Sequence, residues 1–538
     1  MPSSDLVRVY DLLIEGGTIV DGSGDPGFAA AVGVRDGRIE VVHGDTAQAP
    51  AGRRIDAAGM VVSPGFIDLH SHSGLTIFAD PLHEPKVRQG VTTEVIGVDG
   101  LSYAPISDPA DLEALVLMNA GLDGAPDEAE PYDWSTIEGY LDRLDALRPS
   151  LNLACLVGNS ALRISAMGWD EIEPSPAQLI DMRAMLREAM QQGAIGLSSG
   201  LDYPPGSYAD TDELVELSRV AARLGGIYHT HCRHKLGDRS LDPFKEAIEI
   251  GRRSGIPSHI THFYQRVGSQ AGAEQLLGLV EDARDEGLDV TFDTYPYEWA
   301  STRLLIMIPP WVQAGGPSRT KERLADRAVR DRIRREMAER GVLFAGRGAW
   351  DDVRLGAFRT PDLLRWEGRT LGDLIDERGD DAVDVLCDLL LAEDLRVNQV
   401  TPGPWSETLR EFIRHPVGMI GTDSTFVGAR PSPRSYGSFP RVLGQFVRDE
   451  ALLSLEEAVR SMTSAAAARL GLSDRGLVRD GYMADLVVFD PDRVRATCTY
   501  EDPCRFPEGI EWVVVAGEPV VADGVHTGAR PGRVLRRS

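Results

Sequence analysis

The chain opens with short apolar runs in which hydrophobic and polar positions alternate: Asp11-Leu12-Leu13-Ile14, Thr18-Ile19-Val20 and Ala31-Val32-Gly33-Val34. Alternation at a period of two predicts half-buried strands. Asp36-Gly37, ahead of Arg38-Ile39-Glu40-Val41-Val42, is a strong two-residue hairpin signal. The same texture returns near the other end, in Ala484-Asp485-Leu486-Val487-Val488-Phe489 and Trp512-Val513-Val514-Val515-Ala516-Gly517. The two β-rich ends are expected to assemble one small β-sandwich domain from residues 1–62 and 476–538.

Between them the texture changes. Apolar runs alternate with amphipathic helical segments, which is the signature of parallel βαβ construction. Candidate strands cover 65–70, 93–97, 151–158, 194–199, 226–231, 258–262, 290–295 and 418–423. Eight such strands are the count for a closed (β/α)8 TIM barrel, so the expected fold class is α/β, with the barrel spanning 63–475. Val61-Val62-Ser63-Pro64-Gly65 reads as a bend that delivers the chain into the first buried strand. Roughly 120 residues separate Tyr297 from Val417, far more than an ordinary connection. The stretch 320–340 reads as one charged helix and 382–391 as an amphipathic one, and residues 301–360 are expected to form an inserted lid beside the mouth of the barrel.

Composition narrows the function classes. With 42% hydrophobic and 26% charged residues the chain is an ordinary globular protein, neither fibrous nor disordered. A formal net charge of −27 disfavours nucleic acid and anionic membranes as partners. The only dense basic stretch, 319–340, has acidic residues interleaved and reads as a solvated helix face. Five scattered cysteines argue against a disulfide framework and for a reducing compartment. The first residues, Met1-Pro2-Ser3-Ser4-Asp5, lack a basic and apolar leader, and no window offers about 18 uninterrupted apolar residues. A cytoplasmic location is expected.

The candidate chemistry lies at strand ends. In Phe66-Ile67-Asp68-Leu69-His70-Ser71-His72, the two histidines are spaced i, i+2, so on a strand both leave the same face and can converge on one cation. The C-terminal ends of the other candidate strands carry Asp99, His231, His262 and Asp423, which is where a barrel places its chemistry. The histidines at 43, 83, 234, 259, 415 and 526 read as surface or packing residues.

With these residues assembled, the chain resembles the amidohydrolase superfamily and, within it, the N-acyl-D-amino-acid deacylase (D-aminoacylase) group. The resemblance runs over nearly the whole length. It is carried by Pro64-Gly65-Phe66-Ile67-Asp68-Leu69-His70-Ser71-His72, Gln89-Gly90-Val91-Thr92-Thr93-Glu94, Gly196-Leu197-Ser198-Ser199-Gly200-Leu201 with Tyr203-Pro204-Pro205, and Thr230-His231-Cys232-Arg233. Further along come Asp293-Thr294-Tyr295-Pro296-Tyr297, Gly421-Thr422-Asp423, Gly428-Ala429-Arg430-Pro431 and Phe439-Pro440-Arg441. The resemblance implies one or two divalent metals, usually zinc, with His231 and His262 as ligands of the main metal and His70 and His72 as ligands of a second site. It implies Asp423 as the carboxylate that handles the proton, where the plainer alternative is a strand-end cap or a salt-bridge partner. It also implies substrate contacts from Tyr203, Tyr295, Ser301 and Arg434.

Three positions depart from the group's pattern. Where the deacylases read Gly-Asn-Cys-Gly, with a metal-binding cysteine, this chain has Gly97-Val98-Asp99-Gly100. A harder carboxylate still suits zinc, extends the choice toward manganese or cobalt, and can bridge two cations. The group's histidine after the third strand is Asn159, which can donate a hydrogen bond but cannot titrate. The lysine expected two residues beyond the sixth-strand histidine is Tyr264, a weaker partner for a substrate carboxylate.

The expected function is metal-dependent hydrolysis of a C–N amide bond in a small-molecule substrate, an N-acyl-D-amino acid or a related N-acyl compound. Two alternatives stand beside it. One is hydrolysis of a cyclic amide or imide, as in hydantoinase- and dihydroorotase-like relatives, although residues 194–199 hold no lysine to be carboxylated. The other is a barrel that binds without catalysing. A homo-oligomer stays open.

Overall fold

The computed structural model describes residues 9–125, 132–234, 239–340 and 349–537. Positions 1–8 of the expected β domain and 341–348 of the expected lid lie outside them.

Two sheets make the small β domain. One has four strands, in the order Arg38–Val42, Ala31–Arg35, Tyr10–Glu15, Ala51–Asp56. The Asp36-Gly37 turn joins its first two strands with Arg35 opposite Arg38, and both turn residues have positive φ (49° and 72°), as a tight hairpin requires. The second sheet has seven strands and draws on both ends of the chain: Leu486–Phe489 pairs antiparallel with Val61–Pro64 on one side and with Ile510–Val515 on the other. Leu12, Ile14, Val32, Val34, Ile39, Val62, Leu486, Val488 and Val514 close an apolar core between the sheets.

The stretch before the barrel is thus a strand and not the expected bend. Pro64 and Gly65 signal a break, but Pro64 sits at the end of the ladder, opposite Leu486, where a missing N–H costs least. Gly65 then makes the join between the two bodies, because a Cβ there would collide with the Thr92 side chain.

The barrel follows the predicted strand order. Its strands are Phe66–Asp68, Val91–Ile96, Asn152–Cys155 continued by Val157–Gly158, Gly196–Gly200, Ile227–His231, Ser258–Ile260, Val290–Thr294 and Gly418–Ile420. The ladders between neighbouring barrel strands are parallel. Closure comes just past the strand ends, where Asp423 N donates to His70 O (2.9 Å) and His72 N donates to Ser424 O (3.0 Å). At the opposite end the last residues strap the barrel: Leu153 N donates to Arg533 O, Leu535 N to Leu153 O and Arg537 N to Gly193 O.

The long connection after the seventh strand carries a three-stranded antiparallel sheet of Trp299–Arg303, Asn398–Pro402 and Arg354–Gly356, with helices packed around it. The charged stretch read as one helix is two, Gly316–Ala325 and Arg327–Arg340. Asp326 divides them: it takes an extended backbone conformation and its carboxylate accepts Ala328 N (2.7 Å), so it caps the second helix. Two basic residues of that helix are spent on neighbouring carboxylates, Arg330 on Asp384 and Asp388, and Arg334 on Asp381 and Asp384. Among the described residues, no helix is long and apolar enough to cross a membrane.

Candidate metal centre and catalytic site

The side chains expected to act together meet at the C-terminal mouth of the barrel. His70 and His72 arrive from the first strand, Asp99 from the loop after the second, His231 and His262 from the fifth and sixth, and Asp423 from the eighth. All are buried. Three of them, Asp99, His262 and Asp423, hold left-handed backbone conformations (φ 52°, 35° and 47°). Such strained turns at strand ends turn side chains inward and persist only where surrounding contacts enforce them. Around Asp99 the enforcement is visible: a Cβ on Gly97 would run into the Leu156 carbonyl, and one on Gly100 into the Gly200 backbone.

Asp99 is the hub. Its Oδ1 lies 3.4 Å from His70 Nε2, and its Oδ2 lies 3.6 Å from His72 Nε2, 3.4 Å from His231 Nδ1 and 3.8 Å from His262 Nε2. His70 and His72 also face Asp423 Oδ1, at 3.5 and 3.3 Å. His231 Nδ1 and His262 Nε2 are 2.9 Å apart. The donors therefore form two groups that share one carboxylate.

Further carboxylates orient these rings. Asp202 Oδ2 lies 2.9 Å from His231 Nε2, which turns Nδ1 toward Asp99. Asp123 Oδ1 lies 2.7 Å from His72 Nδ1. Asp293 Oδ1 accepts the backbone N–H of His262 (2.8 Å), while its Oδ2 faces His70 Nδ1 (3.7 Å) and His259 Nε2 (3.0 Å).

The electrostatics call for a cation. Burial works against charging His70, yet Asp99 and Asp423 outweigh it and push its pKa up to about 10. The carboxyls of Asp99 and Asp423 are held well below the usual range against the pull of burial, the first by His70 and the second by Arg434 and His70. In addition His70 Nε2, His72 Nε2 and Asp99 Oδ1 are buried with no hydrogen-bond partner. Unpartnered donor atoms converging between ionised carboxylates are what a divalent ion satisfies. The residues present fit a metal, and His70, His72, Asp99 and Asp423 have ligand atoms all within 4.8 Å of one another.

The expected substrate residues take different places. Arg434 Nη1 lies 2.8 Å from Asp423 Oδ2, its Nη2 donates to Ser301 O (2.9 Å), and its guanidinium stacks on Tyr295 at 4.6 Å. Tyr295 OH donates to Tyr264 OH (2.7 Å), and the Ser301 hydroxyl is 3.0 Å from that of Thr425. Tyr203 packs its ring on His231 (centroids 4.8 Å apart) and its hydroxyl against that of Thr302 (2.9 Å). Asn159 is fully buried and donates to Gly206 O (3.0 Å).

A cavity of about 1160 Å³ opens beside the site, lined by Leu201, Asp202, Arg233, His234, Met307 and Pro310 among others. His234, read from sequence as a packing residue, lines this cavity and falls within ligand distance of His231 and His262. Asp123 and Asp202 are further site carboxylates outside the residues expected from the sequence. Asp202 directly follows the Gly200-Leu201 motif, a usable signal, whereas Asp123 ends a helix outside the barrel and carries none.

Barrel, strand-end histidines and shared carboxylate together define a metal-dependent hydrolase of carbon–nitrogen bonds. The chain belongs to the Amidohydrolase family, which it matches over residues 53–521. It is 37% identical over 533 residues to a D-aminoacylase of Alcaligenes xylosoxydans xylosoxydans, covering 98% of each chain. Its fold superposes on a Bordetella bronchiseptica N-acyl-D-glutamate deacylase, complexed with zinc and a phosphonate mimic of the tetrahedral intermediate, with a TM-score of 0.82, 34% identity and coverage of 98% and 100% of the two chains. A D-aminoacylase studied for its binuclear metal centre matches with a TM-score of 0.81, 36% identity and the same coverage.

Proposed function

We propose that the protein hydrolyses the amide bond of an N-acyl-D-amino acid, using two divalent cations bridged by Asp99. His70, His72 and Asp423 would hold one, and His231 and His262 the other. The observation that carries this reading is the position of Asp99, within 3.4 to 3.8 Å of all four imidazoles. Mixed imidazole and carboxylate donors favour zinc, with manganese or cobalt as acceptable occupants. The substrate class is supported by the similarity to a D-aminoacylase and an N-acyl-D-glutamate deacylase, and room for two cations by the D-aminoacylase with a binuclear centre, in which one metal activates and the second attenuates.

A divalent cation bound here would acidify a water toward neutrality and polarise the amide carbonyl. The protein's own part is proton handling and orientation. Asp423, kept ionised by Arg434, accepts the proton of the attacking water and returns it to the leaving nitrogen. Arg434, Tyr295, Tyr264 and Ser301, which contact one another in sequence beside Asp423, would receive the acid end of the substrate, and Tyr203 and Asn159 would supply further contacts. The large cavity would take the acyl group or the side chain.

Elemental analysis alongside a panel of N-acyl-D- and N-acyl-L-amino acids tests this. The expected result is about two equivalents of metal, falling in Asp99→Ala and His70→Ala, with hydrolysis confined to D-substrates. Asp423→Asn should keep at least one cation and lose activity by ~10²- to 10⁴-fold. One equivalent that survives His70→Ala would overturn the bridged centre, and hydrolysis of cyclic amides alone would overturn the substrate class.

A further inference from the structure

His72 is held from outside the barrel. Its Nδ1 lies 2.7 Å from Asp123 Oδ1, and Tyr103 donates its hydroxyl hydrogen to the other oxygen, Asp123 Oδ2. A carboxylate can only accept, so a ring hydrogen resides on Nδ1, and Nε2, facing Asp99 and Asp423, is the nitrogen left to offer its lone pair to a bound cation. Both His72 and Asp123 are almost fully buried, at 2% and 3% exposure, so no water competes for this bond.

Asp123 is the last residue of the helix Pro109–Asp123, which contributes nothing to the barrel wall. That helix end is fixed by the sheet inserted after the seventh strand. Arg303, fully buried at the end of Trp299–Arg303, donates Nη1 to Met118 O and to Asn119 Oδ1, both at 2.6 Å. Asn398, on the adjoining strand, donates to Gly121 O (2.7 Å). The backbones are so close there that a Cβ on Gly121 would run into the Val397 carbonyl. A continuous set of hydrogen bonds thus runs from the inserted sheet, through the helix end, to the ring of His72.

We propose that Asp123 is a positioning residue that fixes the tautomer of His72, and that the inserted sheet, acting through Arg303 and Asn398, sets how firmly the cation beside His72 is held. The insertion then governs metal retention as well as the shape of the entrance. This rests on the reading of His72 as a ligand.

Chelator competition on the metal-loaded protein, read by elemental analysis and by the visible spectrum of the cobalt-substituted form, tests it. In Asp123→Ala one cation should be held as in the native chain and the other about 10- to 100-fold more weakly, the range for loss of a carboxylate behind a ligating histidine. The cation that stays reports that the chain is folded. Arg303→Met should weaken the same cation by a smaller factor, and Asp123→Asn, which keeps an acceptor oxygen, should recover part of the loss. Native retention of both cations in Asp123→Ala overturns the proposal while leaving the bridged centre standing. If that variant does not fold, Asp123→Asn decides, because it keeps the shape and removes the carboxylate charge behind His72; native retention of both cations there overturns the proposal. A native chain whose only cation survives His72→Ala overturns the ligand reading and this inference with it.

Discussion

The small β domain and the mouth of the barrel are both built on strand ladders, but different forces hold them. In the β domain the inward side chains that form the core are Leu, Ile, Val and Ala from two facing sheets. At the barrel mouth the inward side chains are His, Asp, Thr, Lys and Glu, equally buried. Apolar burial is non-directional and scales with area, so it tolerates exchanges of shape. Buried polar groups are stable only when every partner is present, and losing one strands another. The two regions should therefore respond to single substitutions on different scales, and in the barrel mouth any change should also reach the chemistry.

The sharpest test of that contrast is Lys86. Its ammonium, fully buried, reaches Asp68 and donates to Thr422 Oγ1 (2.6 Å). Asp68 in turn accepts His70 N (3.1 Å) and Thr422 N (2.9 Å), and the Thr422 hydroxyl donates to it as well (2.6 Å). One carboxylate therefore clamps the ends of the first and eighth strands, and so the spacing of His70 and Asp423. Lys86→Met would leave that carboxylate buried and unpaired, a loss of ~3–5 kcal/mol. The denaturation midpoint should drop accordingly and metal content with it. Combining it with Asp68→Asn should recover part of the loss, and additive losses in that double variant would show that the clamp is not a unit.

A smaller effect is expected at low pH, from Glu94 on the second strand. Burial opposes its ionisation, but His83 and Lys86 beside it, with a hydrogen bond from Ser73, bring its pKa down from 4.5 to about 2. Below pH 4.5 the unfolded chain binds this proton and the folded chain does not, so stability present above that pH is lost as pH falls toward 2. The full shift corresponds to on the order of 3 kcal/mol. Unfolding followed by circular dichroism from pH 6 to pH 2 should show this slope, and Glu94→Gln should flatten it. An equally steep acid limb in Glu94→Gln would place the titrating group elsewhere.

The same contrast explains what could be read from the sequence. Apolar, β-branched runs revealed both the sandwich and the barrel, because burial of side chains at a period of two is written locally. His70 and His72 were legible for the same reason, as two polar residues on one face of such a run. Pro64 and Gly65 misled, since their preference for breaks is local while their role at the end of a ladder depends on Leu486, more than four hundred residues away. Asp326 was passed over inside a charged stretch, although an Asp ahead of Ala328 is a capping signal in its own right. Asp123 could not be read at all: nothing near it marks a functional residue, and its approach to His72 is created by the docking of a helix on the inserted sheet.

The mildest change belongs to the apolar region and sets the lower limit of the comparison. Ile14 is 1% exposed and pairs across the ladder with Val32, in a core whose buried side chains are aliphatic. Ile14→Val removes one methylene from this core, and neighbours without hydrogen bonds can relax partly into the space. The expected loss is ~0.5–1.5 kcal/mol, below that for Lys86→Met. Because the removed atoms touch no group of the barrel mouth, metal content and the rate per folded molecule should be unchanged. A fall in either would mean that the two regions are coupled through Val61–Pro64, the strand that ends in the β domain one residue before the barrel begins.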